Sequence, residues 1–152
     1  METDPKLTAD LIEALTKASR KIRTAFNQQV TANGLTYPRA RALLRLSRRE
    51  CMPQSELAYE LELEQATLVR LLDRMEENGI IERRPDPSDR RVKQIALTAH
   101  GREQAAFVQT IGERLRGRIF EGLDVKQLRT SIDVLELLAE RVADLEIFDV
   151  AP

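Results

Sequence analysis

The sequence contains very few of the residues that build metal sites and disulfides. Cys51 is its single cysteine and His100 is its single histidine. One cysteine cannot form an intramolecular disulfide, and two such residues are too few for a metal site of the usual cysteine and histidine type. We therefore expect no metal ion and no cofactor, and we interpret Cys51 as a structural or incidental thiol.

Long apolar runs are also missing, because charged residues interrupt every candidate for a membrane span. The first ten residues, METDPKLTAD, lack the basic start and the apolar stretch of a signal peptide. These absences predict a cytoplasmic protein with no membrane partner. There is no excess of one charge either, since the formal net charge is -1 and the pI is near 6.0. Any nucleic-acid binding must then come from a local basic patch.

What the chain does have is apolar residues at helical spacing. Its 152 residues are 42% hydrophobic and 32% charged, which suits one globular domain with its own core. The pattern predicts a long helix over residues 7–30, which Asn33-Gly34 ends. A second helix follows a capping Thr36 and runs to Leu46. Its arginines between Arg39 and Arg49 form either a solvated face with salt bridges or a contact surface for DNA or a ligand.

Two further helices follow with almost no linker, SELAYELEL over residues 55–63 and EQATLVRLLDRMEENG. The fourth helix has Leu68, Leu72 and Met75 on one face and ends at Asn78-Gly79. Two helices so closely joined predict a helix-turn-helix.

After Gly79 the pattern becomes that of two β-strands around the turn RRPDPSDRRVK. Counted from Arg83 to Lys93, five basic and two acidic residues give a local charge of +3. Pro85, Asp86, Pro87 and Ser88 supply the turn chemistry. Beyond the hairpin, Thr98 caps a fifth helix, next to which His100 is expected on the surface. Asp124, with Gln127 as a capping box, begins a sixth.

This order of elements suits both grooves of B-DNA. A helix enters the major groove, and a narrow minor groove admits an arginine carried on a loop. In the fourth helix, the residues expected to face bases are Gln65, Ala66, Thr67 and Arg70. Arg74 and Ser55 are better placed to contact phosphates. In the hairpin, Asp89 can hold one neighbouring guanidinium while another arginine, Arg90 or Arg91, projects.

The chain resembles the MarR family of winged helix-turn-helix regulators, particularly its SlyA-like branch. The resemblance rests on DPSDRR, on LTYPRARALLRL and LELEQATLVRLLDRMEENGIIERRPDP, and on LT followed by Gly101. It implies that Arg91 enters the minor groove with Asp89 as its positioning partner, and that Thr67 and Arg70 read bases. It implies a single domain over residues 1–152. Residues 36–98 would form the DNA-binding lobe, and residues 5–33 and 99–148 the helical dimerisation region.

The terminal helices carry more apolar surface than a helix-turn-helix and its hairpin can cover. We therefore expect a homodimer, bound to a pseudo-palindromic double-stranded DNA operator. The resemblance further implies a ligand-responsive repressor, with a small anionic aromatic effector in a crevice to which Phe26 and Tyr37 could contribute. The sensing cysteine of peroxide-responsive relatives lies in the first helix, unlike Cys51. The alternatives are a winged-helix module that binds proteins without DNA affinity, and a small enzyme, for which the sequence offers no reactive constellation.

Overall fold

A computed structural model describes residues 2–150 and confirms the mainly helical fold with a small β wing. Six helices occur in these residues: α1 (Pro5–Ala32), α2 (Tyr37–Leu46), α3 (Gln54–Leu61), α4 (Gln65–Glu77), α5 (Ala99–Ile119) and α6 (Val125–Ala143). The three strands are β1 (Met52–Pro53), β2 (Ile81–Pro85) and β3 (Lys93–Leu97). None of the helices in this part of the chain combines the length and apolarity needed to cross a membrane.

The strands form one antiparallel sheet in the order β1-β3-β2. β2 and β3 pair from Ile81 opposite Leu97 to Pro85 opposite Lys93, and we call this hairpin with its turn the wing. β1 was not predicted from the sequence, because two residues, one of them proline, are too few to show strand alternation. Its Met52 pairs with Ile95, which ties the start of α3 to the wing.

The chain divides into two compact units, one up to Arg116 and one from Gly117 onward. The core of the first unit consists of buried apolar side chains from helices α1 to α5 and the sheet, among them Leu43, Leu57, Leu72 and Ile95. These are the side chains that the helical and strand periods place on inner faces. In the second unit, α6 has no buried residue.

Two of the predicted helix caps differ from the structure. Thr36 occupies the N-cap of α2, but its side chain makes no capping hydrogen bond. The predicted capping box at α6 is wrong: the Asp124 carboxylate accepts from the Lys126 amide at 3.3 Å, and no bond from Gln127 returns to Asp124 in the described residues. The amide nearest the carboxylate satisfies it, and the exposed Gln127 side chain can hydrogen-bond water instead.

The cap at α5 is confirmed, because the hydroxyl of Thr98 accepts from the Gly101 amide at 3.0 Å.

α3 ends two residues earlier than predicted, at Leu61. Glu62 adopts a left-handed conformation with φ 55° and ψ 41°, and the Leu63 amide donates back to the Ala58 carbonyl at 3.0 Å. This is the hydrogen bond with which a left-handed residue closes a helix.

Candidate nucleic-acid interface

α4 separates its apolar and polar residues cleanly. Leu68, Leu72 and Met75 are buried in the core of the first unit. The residues that the sequence assigned to DNA are all exposed: Gln65, Ala66, Thr67, Arg70 and Arg74. The first turn of this helix is thus open to a partner, while its other face fixes the helix to the protein.

The predicted basic patch is smaller than its sequence suggests, because Arg83 and Arg84 are half-buried and pair with acidic residues outside the turn. Arg83 has a side chain only 18% exposed and donates to Asp73 at 2.8 Å and Glu76 at 3.1 Å, so it joins β2 to α4. Arg84 pairs with Glu82, and its guanidinium lies 3.8 Å from Glu50. The patch is therefore reduced to Arg90, Arg91 and Lys93, all exposed.

Asp89 and Arg91 interact within the turn of the wing. The Asp89 carboxylate accepts from the Arg91 backbone amide at 3.0 Å, from Nε at 3.2 Å and from Nη2 at 3.4 Å. The side-chain hydrogen bond from Arg91 is the main reason why the pKa of Asp89 is lowered. The Arg91 side chain nevertheless stays 91% exposed, so Asp89 restrains a guanidinium that remains in solvent.

Asp86 organises the turn itself, a role that the sequence suggested only as general turn chemistry. Its Oδ1 accepts from the Ser88 hydroxyl at 2.7 Å and the Ser88 backbone amide at 2.8 Å, and its Oδ2 accepts from the side-chain Nε2 of Gln94 at 2.7 Å. These bonds, led by the one from the Ser88 hydroxyl, lower the pKa of Asp86 to about 2. An ionised Asp86 thus connects the turn to β3.

The wing, α3 and α4 meet at a notch of about 230 Å³, lined by Gln54, Ser55, Gln65, Arg91, Val92 and Lys93. Three residues assigned from the sequence, Ser55, Gln65 and Arg91, are therefore brought together. Gln54 and Lys93 were not assigned as site residues. Lys93 could have been found from its place in the basic stretch, whereas Gln54 has no sequence signal beyond preceding Ser55.

The predicted ligand residues also meet. The rings of Phe26 and Tyr37 are 6.1 Å apart in an edge-to-face arrangement. They line a cavity of about 210 Å³ between α1 and α2, which we call the arginine cavity, with Ile22, Arg23, Arg41, Leu44, Arg45 and Arg48. Arg41 and Arg45 belong to α2, and Arg48 lies in the turn after it. The sequence included these arginines in a possible contact surface for DNA or a ligand, but it did not assign them individually to this cavity.

The arginines between Arg39 and Arg49 therefore divide between the two interpretations left open by the sequence. Arg49 forms a salt bridge with Glu56 at 2.7 Å, as a solvated face would. Arg41, Arg45 and Arg48 instead line the arginine cavity.

The side chain of His100 is 57% exposed in the first turn of α5, as expected, and Cys51 is a half-buried free thiol.

Comparison with known proteins connects this arrangement with transcriptional regulators. Residues 35–93 match the MarR family. The fold is similar to that of the transcriptional regulator PA3341, with 29% identity, a TM-score of 0.81, and coverage of 89% of this chain and 99% of that chain. It is also similar to a MarR family regulator from Rhodococcus sp. RHA1, with 27% identity, a TM-score of 0.74, and coverage of 90% and 96%.

A third similar structure is AbsC, a MarR family transcriptional regulator from Streptomyces coelicolor. It has 25% identity and a TM-score of 0.77, with coverage of 95% of this chain and 99% of that chain. The family match and the structures agree on a class of non-enzymatic transcription factors. They thereby support the sequence interpretation that the chain is not an enzyme.

Proposed function

We propose that this chain is a MarR-type regulator that binds a pseudo-palindromic DNA operator as a homodimer, with α4 in the major groove and the wing in the adjacent minor groove. The observation that carries the proposal is the notch, where the exposed start of α4, the Ser55 end of α3 and the wing cation Arg91 line one concavity. MarR-family regulators bind DNA and are typically dimeric. Within the family, the wing sequence DPSDRR favours the SlyA-like branch.

Each part of the interface has a distinct role in this proposal. Gln65, Thr67 and Arg70 read base edges, with Ala66 against a thymine methyl group. Arg91 senses the width and potential of the minor groove, and Asp89 restrains it. The notch receives a backbone phosphate, because Lys93 brings a cation beside the Ser55 hydroxyl and the first turn of α3.

Dimerisation is supported by the apolar side chains left in solvent. On α1 the exposed residues include Leu7, Leu11 and Ile12. On α6 they include Ile132, Leu135 and Leu137. A second copy would cover such stripes through a self-complementary two-fold interface. Sedimentation at micromolar concentration should show a dimer, and a monomer would contradict this part of the proposal.

The proposed effector is a small anionic aromatic molecule in the arginine cavity. Phe26, Tyr37 and Leu44 give the cavity apolar walls, and its four arginines include Arg45 and Arg48. Such a ligand would relieve repression by favouring a dimer whose recognition helices are wrongly spaced for the operator.

Binding titrations of wild type and variants against an operator library test the DNA-binding proposal. Arg70→Ala should reduce the free energy of operator binding by about 1–3 kcal/mol per half-site and relax the base choice at one symmetric position.

Arg91→Ala should weaken binding and change mainly the preference for flanking A·T pairs, and Asp89→Ala should reproduce part of that effect. Lys17→Ala, which removes an α1 cation outside the notch, is the control.

The salt dependence of binding separates a regulator from a winged-helix module that binds proteins. Phosphate contacts release counterions, so the affinity of a regulator for duplex DNA falls steeply with salt. If wild type binds no duplex at low salt, the DNA-binding proposal fails. If the Arg91→Ala protein binds every sequence as wild type does, the wing is not in the minor groove.

A further inference from the structure

Arg41 connects the arginine cavity to the end of α3. Its Nη1 donates a hydrogen bond of 2.8 Å to the carbonyl oxygen of Leu61, a residue twenty positions away. The contact is partly buried, and Leu61 is the last residue of α3. The carbonyls of a final helical turn have no partner within their own helix, so this bond satisfies a group that would otherwise need water.

The position of this bond matters because only Glu62, Leu63 and Glu64 separate α3 from α4. Glu62 holds its left-handed conformation at the end of α3, and the carbonyl of Glu64 accepts the Leu68 amide as α4 begins. Because this connection is so short, a displacement of the Leu61 carbonyl moves backbone that is only a few bonds from the first turn of α4.

The same guanidinium borders the arginine cavity. Its central carbon lies 5.6 Å from the centre of the Tyr37 ring, within the range of a cation–π contact. Arg41 also lines an adjoining cavity of about 280 Å³, together with Arg20, Arg23, Thr24, Asn27 and Tyr37. An anion entering either cavity would meet Arg41 and compete with the neutral Leu61 carbonyl for its donors. The bond to the carbonyl is ionised on the donor side only, whereas an anionic acceptor adds direct attraction between opposite charges.

We propose that Arg41 holds the α3–α4 turn in place, and that an anionic ligand acts on α4 by drawing Arg41 away from the Leu61 carbonyl. The first half concerns the folded chain alone. The second half rests on the proposed function, since it makes Arg41 the route by which the arginine cavity controls DNA binding.

Arg45 supplies a matched control. It lies one turn further along α2, is half-buried as Arg41 is, and lines the same cavity. Within residues 2–150 its side chain donates no hydrogen bond that spans to α3. Arg41→Met and Arg45→Met therefore remove the same charge from the same cavity, but only the first removes the bond to α3.

Amide hydrogen exchange in the free protein tests the first half. Arg41→Met should speed exchange of the amides from Glu62 to Leu68 by about fivefold or more, whereas Arg45→Met should leave them within about twofold of wild type. Equal exchange in the two variants would overturn the positioning role. This result does not depend on whether the protein binds DNA.

Benzoate as a probe tests the second half without a mutation, with neutral benzamide as its control. Added to wild type, benzoate should speed exchange of the same amides, and benzamide should not. In Arg41→Met, benzoate should have no further effect. A benzoate effect of equal size in wild type and Arg41→Met, or no effect in wild type, would show that ligand occupancy is not transmitted through Arg41.

Operator titrations complete the experiment. Arg41→Met should bind the preferred operator about tenfold more weakly than Arg45→Met, with the same salt dependence, because the bond lost is internal and not to phosphate. Equal operator affinities would contradict control of α4 through Arg41. Failure of wild type to bind any duplex would instead overturn the proposed function, and with it the second half of this inference, while the exchange comparison would still decide the first.

Discussion

The wing shows that the role of a charged residue depends on its partners more than on how many like charges surround it. Arg83 and Arg91 lie in the same short basic stretch, yet Arg83 is held between Asp73 and Glu76 while Arg91 keeps most of its side chain in solvent. The sequence cannot distinguish them by composition. The distinction arises because β2 runs beside α4, and residues ten apart along the chain become ion-pair partners.

Asp86 gives a prediction at the residue scale. Its carboxyl should titrate with a pKa of about 2, below the ordinary aspartate value of 3.8. Folding lowers the pKa of Asp86, so its ionised form stabilises the folded turn. This stabilisation is fully present when the pH is above the pKa of Asp86 in the unfolded chain, and it is lost as the pH falls through about 2. Carbon-13 NMR of the carboxyl groups during acid titration measures this pKa.

The Ser88 backbone amide, which donates a hydrogen bond to Asp86, offers a second measurement of the same titration. Its chemical shift should follow the Asp86 titration in wild type and lose that transition in Asp86→Asn. A carboxyl that titrates at or above its ordinary value would show that Asp86 does not organise the turn.

Glu62 gives a second prediction, because it is the only non-glycine residue with positive φ in the described chain. Glu62→Gly should raise the free energy of unfolding by about 0.5–1 kcal/mol, since a left-handed residue with a Cβ costs more than the extra chain entropy of glycine. Glu60→Gly, two residues earlier inside α3, should instead lower it by about 1 kcal/mol. Urea unfolding measures both, and a loss of stability in Glu62→Gly would contradict the prediction.

At the scale of elements, the sequence predicts the helices well because their apolar spacing and their stop residues agree. Asn33-Gly34 and Asn78-Gly79 end α1 and α4 close to the predicted positions. β1 could not be predicted, because its strand character comes from pairing with β3 and not from its own two residues. The early end of α3 also lacked a signal, since Glu62 has no intrinsic preference for a left-handed conformation.

The junction between the wing and α5 gives a prediction for an element boundary. A Cβ on Gly101 would lie 2.0 Å from the backbone oxygen of Ile80, so neither backbone can give way cheaply. Gly101→Ala should therefore lower the free energy of unfolding by about 2–3 kcal/mol through overpacking.

Gly117 is the matched control in the same helix, because a Cβ there would meet nothing within 4 Å. Gly117→Ala should raise the free energy of unfolding by up to about 1 kcal/mol, as alanine does inside a helix. Thermal or urea unfolding compares the two. Equal effects would mean that α5 does not approach Ile80 as closely as described.

At the scale of the whole molecule, the sequence anticipated which side chains are exposed better than the contacts that support them. The exposed face of α4 follows from the helical period, because Leu68, Leu72 and Met75 recur every three or four residues on one face and leave the opposite face outward. The arginine cavity depends on how α1 packs against α2, which brings Phe26 beside Tyr37. That packing joins residues eleven positions apart across a turn, and the pattern within either helix alone does not encode it.

The proposed dimer leads to a prediction about the proposed operator. Two recognition helices related by a two-fold axis should bind half-sites about one helical turn, roughly 10 bp, apart on one face of the DNA. Inserting about 5 bp between the half-sites turns one of them to the opposite face, so affinity should fall nearly to that of a single half-site. The control replaces the central base pairs without changing the length. Fluorescence anisotropy with labelled duplexes measures both, and an operator that tolerates the insertion would show that the two copies of α4 bind independently and are not fixed by one rigid dimer.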